Sequence, residues 1–340
     1  MRKALFLLFW LFTVLVVHAQ VDINNVVIET SPALCSPGVI NRSPGKGASF
    51  TYSFNGDYKL RSPDAENPSK VKRDERFDYK LKIPVFNSPR FKFLIGLQYT
   101  LERYHFDKIV PENYPLFRRL NETDLKNTGI AAYAVCPINH KYYTSFRLSA
   151  NWQGDYRTFA TLDNRFAVYR LASVLGVKKR DNLEYGIGFM VNKGFRNNSV
   201  VPFGFYNQTF DEHWGIEATL PTSIKLRYNL SEKSMFLVGS EFSSQTYAMV
   251  VYEPSANPYV VNGVEKAPYH YQRASLDAVA TFYQQLTGWT WIQVKCGYAF
   301  NLRSEARDLP EHLSYELKSS NNVLGMVSFF ISPPRNHLDR

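Results

Sequence analysis

Residues 213–242 constrain the fold most, because they hold three alternating runs in succession with only tight turns between them. Trp214, Ile216, Ala218 and Leu220 alternate with Gly215, Glu217 and Thr219. After Pro221-Thr222, Ile224, Leu226, Tyr228 and Leu230 alternate with Lys225, Arg227 and Asn229. After a turn over residues 231–234, Phe236, Val238, Ser240 and Phe242 continue the pattern. A period of two gives each strand one apolar and one polar face.

The same grammar recurs along most of the chain. Phe91, Phe93, Ile95, Leu97, Tyr99 and Leu101 oppose Lys92, Gly96, Gln98, Thr100 and Glu102. Tyr142, Thr144, Phe146, Leu148, Ala150 and Trp152 share one face, and Ile292, Val294, Cys296, Tyr298 and Phe300 share another. The run from Phe91 has the ~9–11 residues of a tilted membrane strand. About fourteen such runs predict an all-β fold: a closed antiparallel transmembrane β-barrel of 12–14 strands. Pro84 falls near the end of the run containing Phe77, Tyr79, Leu81 and Ile83, which predicts a bulge or rim position. Residues 56–74, 105–126, 252–266 and 303–321 are expected to be long loops.

At the N-terminus, Arg2 and Lys3 precede an apolar run from Ala4 to Val17, and Val17-His18-Ala19 offers a small-residue cleavage site. This predicts a secretory signal peptide over residues 1–19, since the run is shorter than the ~20 apolar residues of a spanning helix. No later segment is apolar for that length, and a chain that spans lipid without helices must close into a barrel. The expected organisation is then a periplasmic arm over residues 20–46, a barrel over 47–332 and a tail over 333–340. The expected location is the cell outer membrane. Aromatic residues make up 15%, including 22 Tyr, which fits girdles at two membrane interfaces. A soluble secreted β-protein with an aromatic core is the competing reading.

The net charge is +10, and loss of Arg2 and Lys3 with the signal leaves +8. That balance implies attraction to anionic lipid headgroups or anionic solutes, with an envelope protein as a further partner class; export excludes nucleic acid. Cys35, Cys136 and Cys296 fit no zinc spacing and no disulfide framework. No cofactor is expected. Asn-x-Ser/Thr sequences at Asn41, Asn121, Asn197, Asn207 and Asn229 are read as chance in an Asn-rich chain.

A barrel enzyme acting on lipid, a hydrolase or acyltransferase, would need a nucleophile with a base in reach. His105, His140, His213, His270, His312 and His337 all fall in or beside expected loops and turns, and none shares a polar strand face with a Ser in register. There is no G-x-S-x-G elbow and no H-E-x-x-H or glycine-rich phosphate loop. The chain is read as non-enzymatic.

The runs Tyr185-Gly186-Ile187-Gly188-Phe189, Pro202-Phe203-Gly204-Phe205-Tyr206 and Trp214 to Leu220 with Pro221 resemble a Bacteroidota outer-membrane barrel family of unknown function. The context His18-Ala19-Gln20 is similar to signals common in that group. The resemblance spans most of the mature chain and implies a barrel in the outer membrane. It implies no activity and no site residues.

The polar faces carry one group with chemical content. If the first turn centres on Pro221, Glu217 lies opposite Lys225. If the next centres near Glu232, Lys225 lies opposite Gly239 and Arg227 opposite Leu237, with Glu241 diagonal to Lys225. Leu226–Val238 and Tyr228–Phe236 then share the lipid face. The last hairpin places Asp277 near Lys295, with Gln293 alongside. Glu217, Lys225, Arg227, Glu241, Asp277, Lys295 and Gln293 are therefore expected in the lumen. They form either a salt-bridge network that plugs a narrow barrel or a polar wall that tunes solute choice. The function expected is a passive channel or a structural or assembly component of the envelope.

Overall fold

The computed structural model describes residues 34–63, 65–112, 114–158, 162, 164–194, 198–250, 252–253, 264–265, 269–308 and 314–332. The expected signal peptide, the first part of the expected arm and the expected tail lie outside the described residues.

Fourteen antiparallel strands close into one barrel. They are β1 (Ala48–Asn55), β2 (Ser69–Asn87), β3 (Lys92–Lys108), β4 (Leu125–Pro137), β5 (Tyr142–Gly154), β6 (Ala167–Arg180) and β7 (Leu183–Gly194). The second half comprises β8 (Ser199–Thr209), β9 (Trp214–Leu220), β10 (Ser223–Ser231), β11 (Ser234–Met249), β12 (Tyr269–Gln285), β13 (Thr290–Asp308) and β14 (Asn322–Ile331). Each strand pairs with the next in sequence, and β14 returns to β1 with Ile331 opposite Ala48 and Leu324 opposite Asn55.

The barrel is inside out relative to a water-soluble protein. Side chains such as Leu148 (58% exposed), Ile187 (70%) and Val323 (58%) point outward. Thr100, Ser328 and Arg227, all at 0%, point inward. Outward rings pack on one another across strands, as in Phe50–Tyr79 at 5.0 Å and Trp214–Tyr228 at 4.7 Å between centroids. A soluble chain rarely exposes a contiguous apolar patch above a few hundred Å²; here the patch encircles the molecule. Hydrocarbon is the medium that such a surface fits, and the aromatic side chains expected in a soluble core lie largely on the outer wall.

The two ends of the barrel differ. Short turns over residues 88–91, 138–141, 181–182, 210–213, 232–233 and 286–289 lie at one end, together with residues 34–47 and the end of β14. In the turn before β9, the Asp211 carboxylate accepts from the amides of His213 (2.8 Å) and Trp214 (2.6 Å). Those donors hold its carboxyl below the usual carboxylate range. The other end carries most of the longer connections.

Several of those connections contain more structure than the sequence suggests. β2 begins at Ser69, inside the expected loop 56–74, because Val71 is fully buried among loop-end apolar residues while its Lys and Arg neighbours hide the alternation. The expected loop 105–126 holds the end of β3 and a helix, α1 (Pro115–Glu122), whose Leu116, Phe117 and Leu120 face that same cluster. β13 runs to Asp308, past the expected loop start at 303. Pro84 does sit at an irregularity, where the β2–β3 register shifts between Pro84 and Phe86.

One stretch of wall is low. β9 and β10 meet at a turn over residues 221–222, and β9 pairs with β8 only from Gly204 to Thr209. Above that turn, residues 199–203 of β8 and 243–247 of β11 have strand partners on one side only among the described residues. Farther up, Ala248 of β11 bridges to Gly154 of β5, drawing two distant strands together over the gap.

Candidate functional site: the barrel lumen

The inward faces of β8 to β13 form a neutralised wall. Glu217 and Lys225 are in direct register, as are Lys225 with Gly239 and Arg227 with Leu237. Leu226–Val238 and Tyr228–Phe236 pair on the outer face. The ion pairs nevertheless do not follow the facing residues. Arg227, wholly buried, donates from Nη1 to Glu217 Oε1 at 2.8 Å and from Nη2 to Thr209 Oγ1 at 2.7 Å. Lys225 instead pairs with the diagonal Glu241, and Lys295 Nζ reaches Glu241 Oε2 at 2.6 Å. Glu241 therefore takes two lysines, and Glu217 takes one arginine.

Asp277 and Lys295 are near enough to attract one another but make no ion pair among the described residues. The β12–β13 turn centres on Gly288, later than that pairing requires, so Asp277 is in register with Ala299 and Lys295 with Thr281. Asp277 accepts from the Ser275 hydroxyl at 2.7 Å. Gln293 points into the lumen and accepts from Lys46 Nζ at 2.5 Å.

The opposite wall is different. Lys80 and Lys82 on β2 and Arg147 on β5 point inward yet remain exposed, and Arg170 on β6 is half-buried. None of the four makes an ion pair among the described residues. Asp78, the carboxylate beside them, is engaged by Arg76 (2.9 and 3.1 Å) and by the Thr100 hydroxyl (2.7 Å). Sequence alternation put Lys80 and Lys82 on a polar face. Their convergence with Arg147 required the register across three successive strand pairings, which no local signal carries.

Both ends of the lumen are obstructed. Fourteen strands enclose more width than the ~8 whose own side chains fill a barrel, so other segments enter. At the short-turn end, residues 34–47 cross the mouth. The Gly38 amide donates to Glu184 (2.8 Å), the Ser43 amide and hydroxyl donate to Glu217 (2.8 and 2.6 Å), and Lys46 reaches Ser328 (3.1 Å). Beside this arm, Met235, Leu237, Tyr283, Trp291 and Phe330 form an inward apolar cluster. At the loop end, the apolar face of α1 packs with Tyr104, Tyr247 and Tyr271 from facing walls. The Tyr247 hydroxyl donates to Glu102 at 2.8 Å, and Arg273 reaches Asp74 at 2.6 Å.

The histidines are not all in loops. His270 is buried in β12, and His105, on β3, lies 3.3 Å from Glu75. Among the described residues no group of His, Cys, Asp and Glu is arranged to hold a metal ion. The three cysteines are unpaired, with Cys136 on β4, Cys296 exposed on β13 and Cys35 buried in the arm.

Residues 104–300, more than half of the chain and all of the wall from β4 to β12, match the family described as a domain of unknown function, DUF6268. The chain belongs to the DUF6268 family. No curated protein matches it. Among solved structures, this DUF6268 barrel is similar to a Pseudomonas aeruginosa FadL homologue, at 9% identity and TM-score 0.40, covering 83% of this chain and 89% of that chain. It is similar also to the toluene transporter TodX of P. putida, at 10% identity and TM-score 0.33, covering 85% and 90%. A third is the translocator domain of the autotransporter NalP from Neisseria meningitidis, at 12% identity and TM-score 0.31, covering 84% and 88%.

Proposed function

We propose that this DUF6268 protein is a non-enzymatic barrel of the bacterial outer membrane that acts as a passive, obstructed channel for small polar solutes. The observation that carries the reading is the exposed Lys80, Lys82 and Arg147 on the inner face of an inside-out barrel. A lumen that only needed filling would bury and pair its charges, as the β9–β13 wall does; this side keeps cations in contact with lumen space. The same reading includes a signal peptide cleaved after Ala19, lipid with anionic headgroups around the belt, and a Bacteroidota source, supported by the His18-Ala19-Gln20 context and the Gly-Pro-aromatic runs of β7 and β8.

The competing reading is a silent structural or assembly barrel, favoured by the apolar clusters at both ends. Planar-bilayer recording on the protein extracted from outer membranes separates the two. The channel reading expects discrete, ohmic current steps, from a protein whose N-terminal sequence begins at Gln20. Correctly inserted, heat-modifiable protein that stays electrically silent at all voltages would overturn it.

A further inference from the structure

We infer that the basic wall of the lumen is a binding site for a small phosphate-type oxyanion. The inference rests on the channel reading for the ligand's route, but the site is built from geometry alone. Lys82, Gly96, Ala131, Ser149 and Arg170 follow one another across β2 to β6 in a single register row. The short residues between the two cations shape the site. Gly96 has no side chain, and the Tyr133 ring lies where its Cβ would project, with Cε2 2.8 Å from that position. The ring in turn seats Lys82 Nζ 5.4 Å and the Arg147 guanidinium 5.3 Å from its centroid. Two cations on one ring are held close together in spite of their repulsion.

Arg147 is the hub of the group. It repels Lys80, Lys82 and Arg170, and Lys80 and Lys82 repel each other. Asp78 offers limited compensation, since Arg76 already holds both of its oxygens. Ser149, 3% exposed, lies in register with Arg170, and its Oγ has no hydrogen-bond partner among the described residues. The site thus combines four positive charges, a guanidinium able to bind an oxyanion through two N–H groups, and an unused buried hydroxyl. That donor-rich, cationic composition suits a compact, multiply charged oxyanion. A carboxylate monoanion would satisfy less of it, and a cation is excluded by repulsion. The cations face the lumen and the belt faces lipid, so the ligand is a free solute phosphate and not a headgroup of the surrounding bilayer.

Isothermal titration of the folded, full mature chain in nonionic detergent tests this, with sodium phosphate as the probe and ionic strength held by choline chloride. Saturable binding is expected in the unsubstituted protein. The double variant Arg147→Gln/Arg170→Gln should bind about tenfold or more weakly, from loss of two charge-assisted contacts. The charge-matched variant Lys179→Gln/Lys233→Gln, altered only in turn and rim positions, should bind as before. Heat-modifiability on gels checks that each variant folds; if the double variant does not, Lys82→Gln alone is read by the same titration. Absence of phosphate binding, or equal binding by the Arg147/Arg170 and Lys179/Lys233 pairs, overturns the site. Binding by vesicles of anionic lipid at the expense of phosphate would assign the chemistry to headgroups and overturn the solute assignment. Binding that holds while bilayers stay silent would remove the channel reading and leave the site standing.

Discussion

Arg227 is the residue whose chemistry is most committed. It is fully buried, bonds to Glu217 and Thr209, and rests over Gly215, where any Cβ would collide with its guanidinium. Removing one member of a buried ion pair costs about 3–5 kcal/mol, because the other charge is left without compensation. Arg227→Met should therefore destabilise the barrel by about that amount, read as a lowered midpoint in urea unfolding from detergent. The double variant Arg227→Met/Glu217→Met should recover most of the loss, since two apolar side chains need no partner. A double variant no more stable than the single one would show that Ser43, which also binds Glu217, matters more than the pair. The register around this residue was legible in the sequence. Both adjoining turns are tight, so counting from Pro221 and Glu232 places Glu217, Lys225, Arg227 and Gly239 in their rows. The choice of Glu241 by both Lys225 and Lys295 was only partly legible, because it depends on side-chain reach across three strands. Asp277 and Lys295 come near enough to attract one another, but they are not in register, because the β12–β13 turn centres on Gly288.

Among the elements, the β9–β10 hairpin stands apart by its height. β9 spans seven residues, fewer than the ~9–11 of a tilted strand that crosses hydrocarbon. Above its turn, the facing edges of β8 and β11 lack strand partners on one side among the described residues, and unpaired backbone is not tolerated against lipid. The upper limit of hydrocarbon on this side is then close to Pro221 and Thr222, with the bilayer thinned or tilted against the hairpin. Cysteine accessibility tests the level, in a background with Cys35, Cys136 and Cys296 replaced by Ala. Ser244→Cys, above the turn, should react with a membrane-impermeant maleimide, and Ile224→Cys, on the outer face below it, should be protected. Protection of both positions would place the gap inside the bilayer and contradict the boundary. The strands themselves were legible because a barrel strand writes its alternation locally. Helix α1 was not: its apolar face is only Leu116, Phe117 and Leu120, too short a periodic run to stand out in a polar stretch.

At the scale of the molecule, the barrel is a sum of neighbouring hairpins, whereas its obstruction is long-range. Gly38 meets Glu184 across 146 residues, and Lys46 meets Ser328 across 282. No local pattern announces such contacts, which is why the arm reads from sequence only as an extended Pro- and Ser-containing lead-in. Gly47 already bonds through its backbone to Ile331 and Lys82, and the β14–β1 register runs on from Ala48, so the ladder starts at Gly47 and residues 34–46 precede it. A mature chain lacking residues 34–46 should accordingly still fold to a heat-modifiable barrel. If the arm is the main obstruction at the short-turn end, this deletion should raise single-channel conductance severalfold over the full chain, because the Ser43 and Lys46 contacts vanish together. Unchanged conductance would shift the restriction to the loop end, where α1 and three tyrosines from facing walls meet. Tyr247→Ala in the deleted chain would then be the variant that opens it, since Tyr247 reaches from β11 to Glu102 on β3. The order in which these two changes act follows from the architecture: two obstructions in series on one path, of which the narrower sets the current.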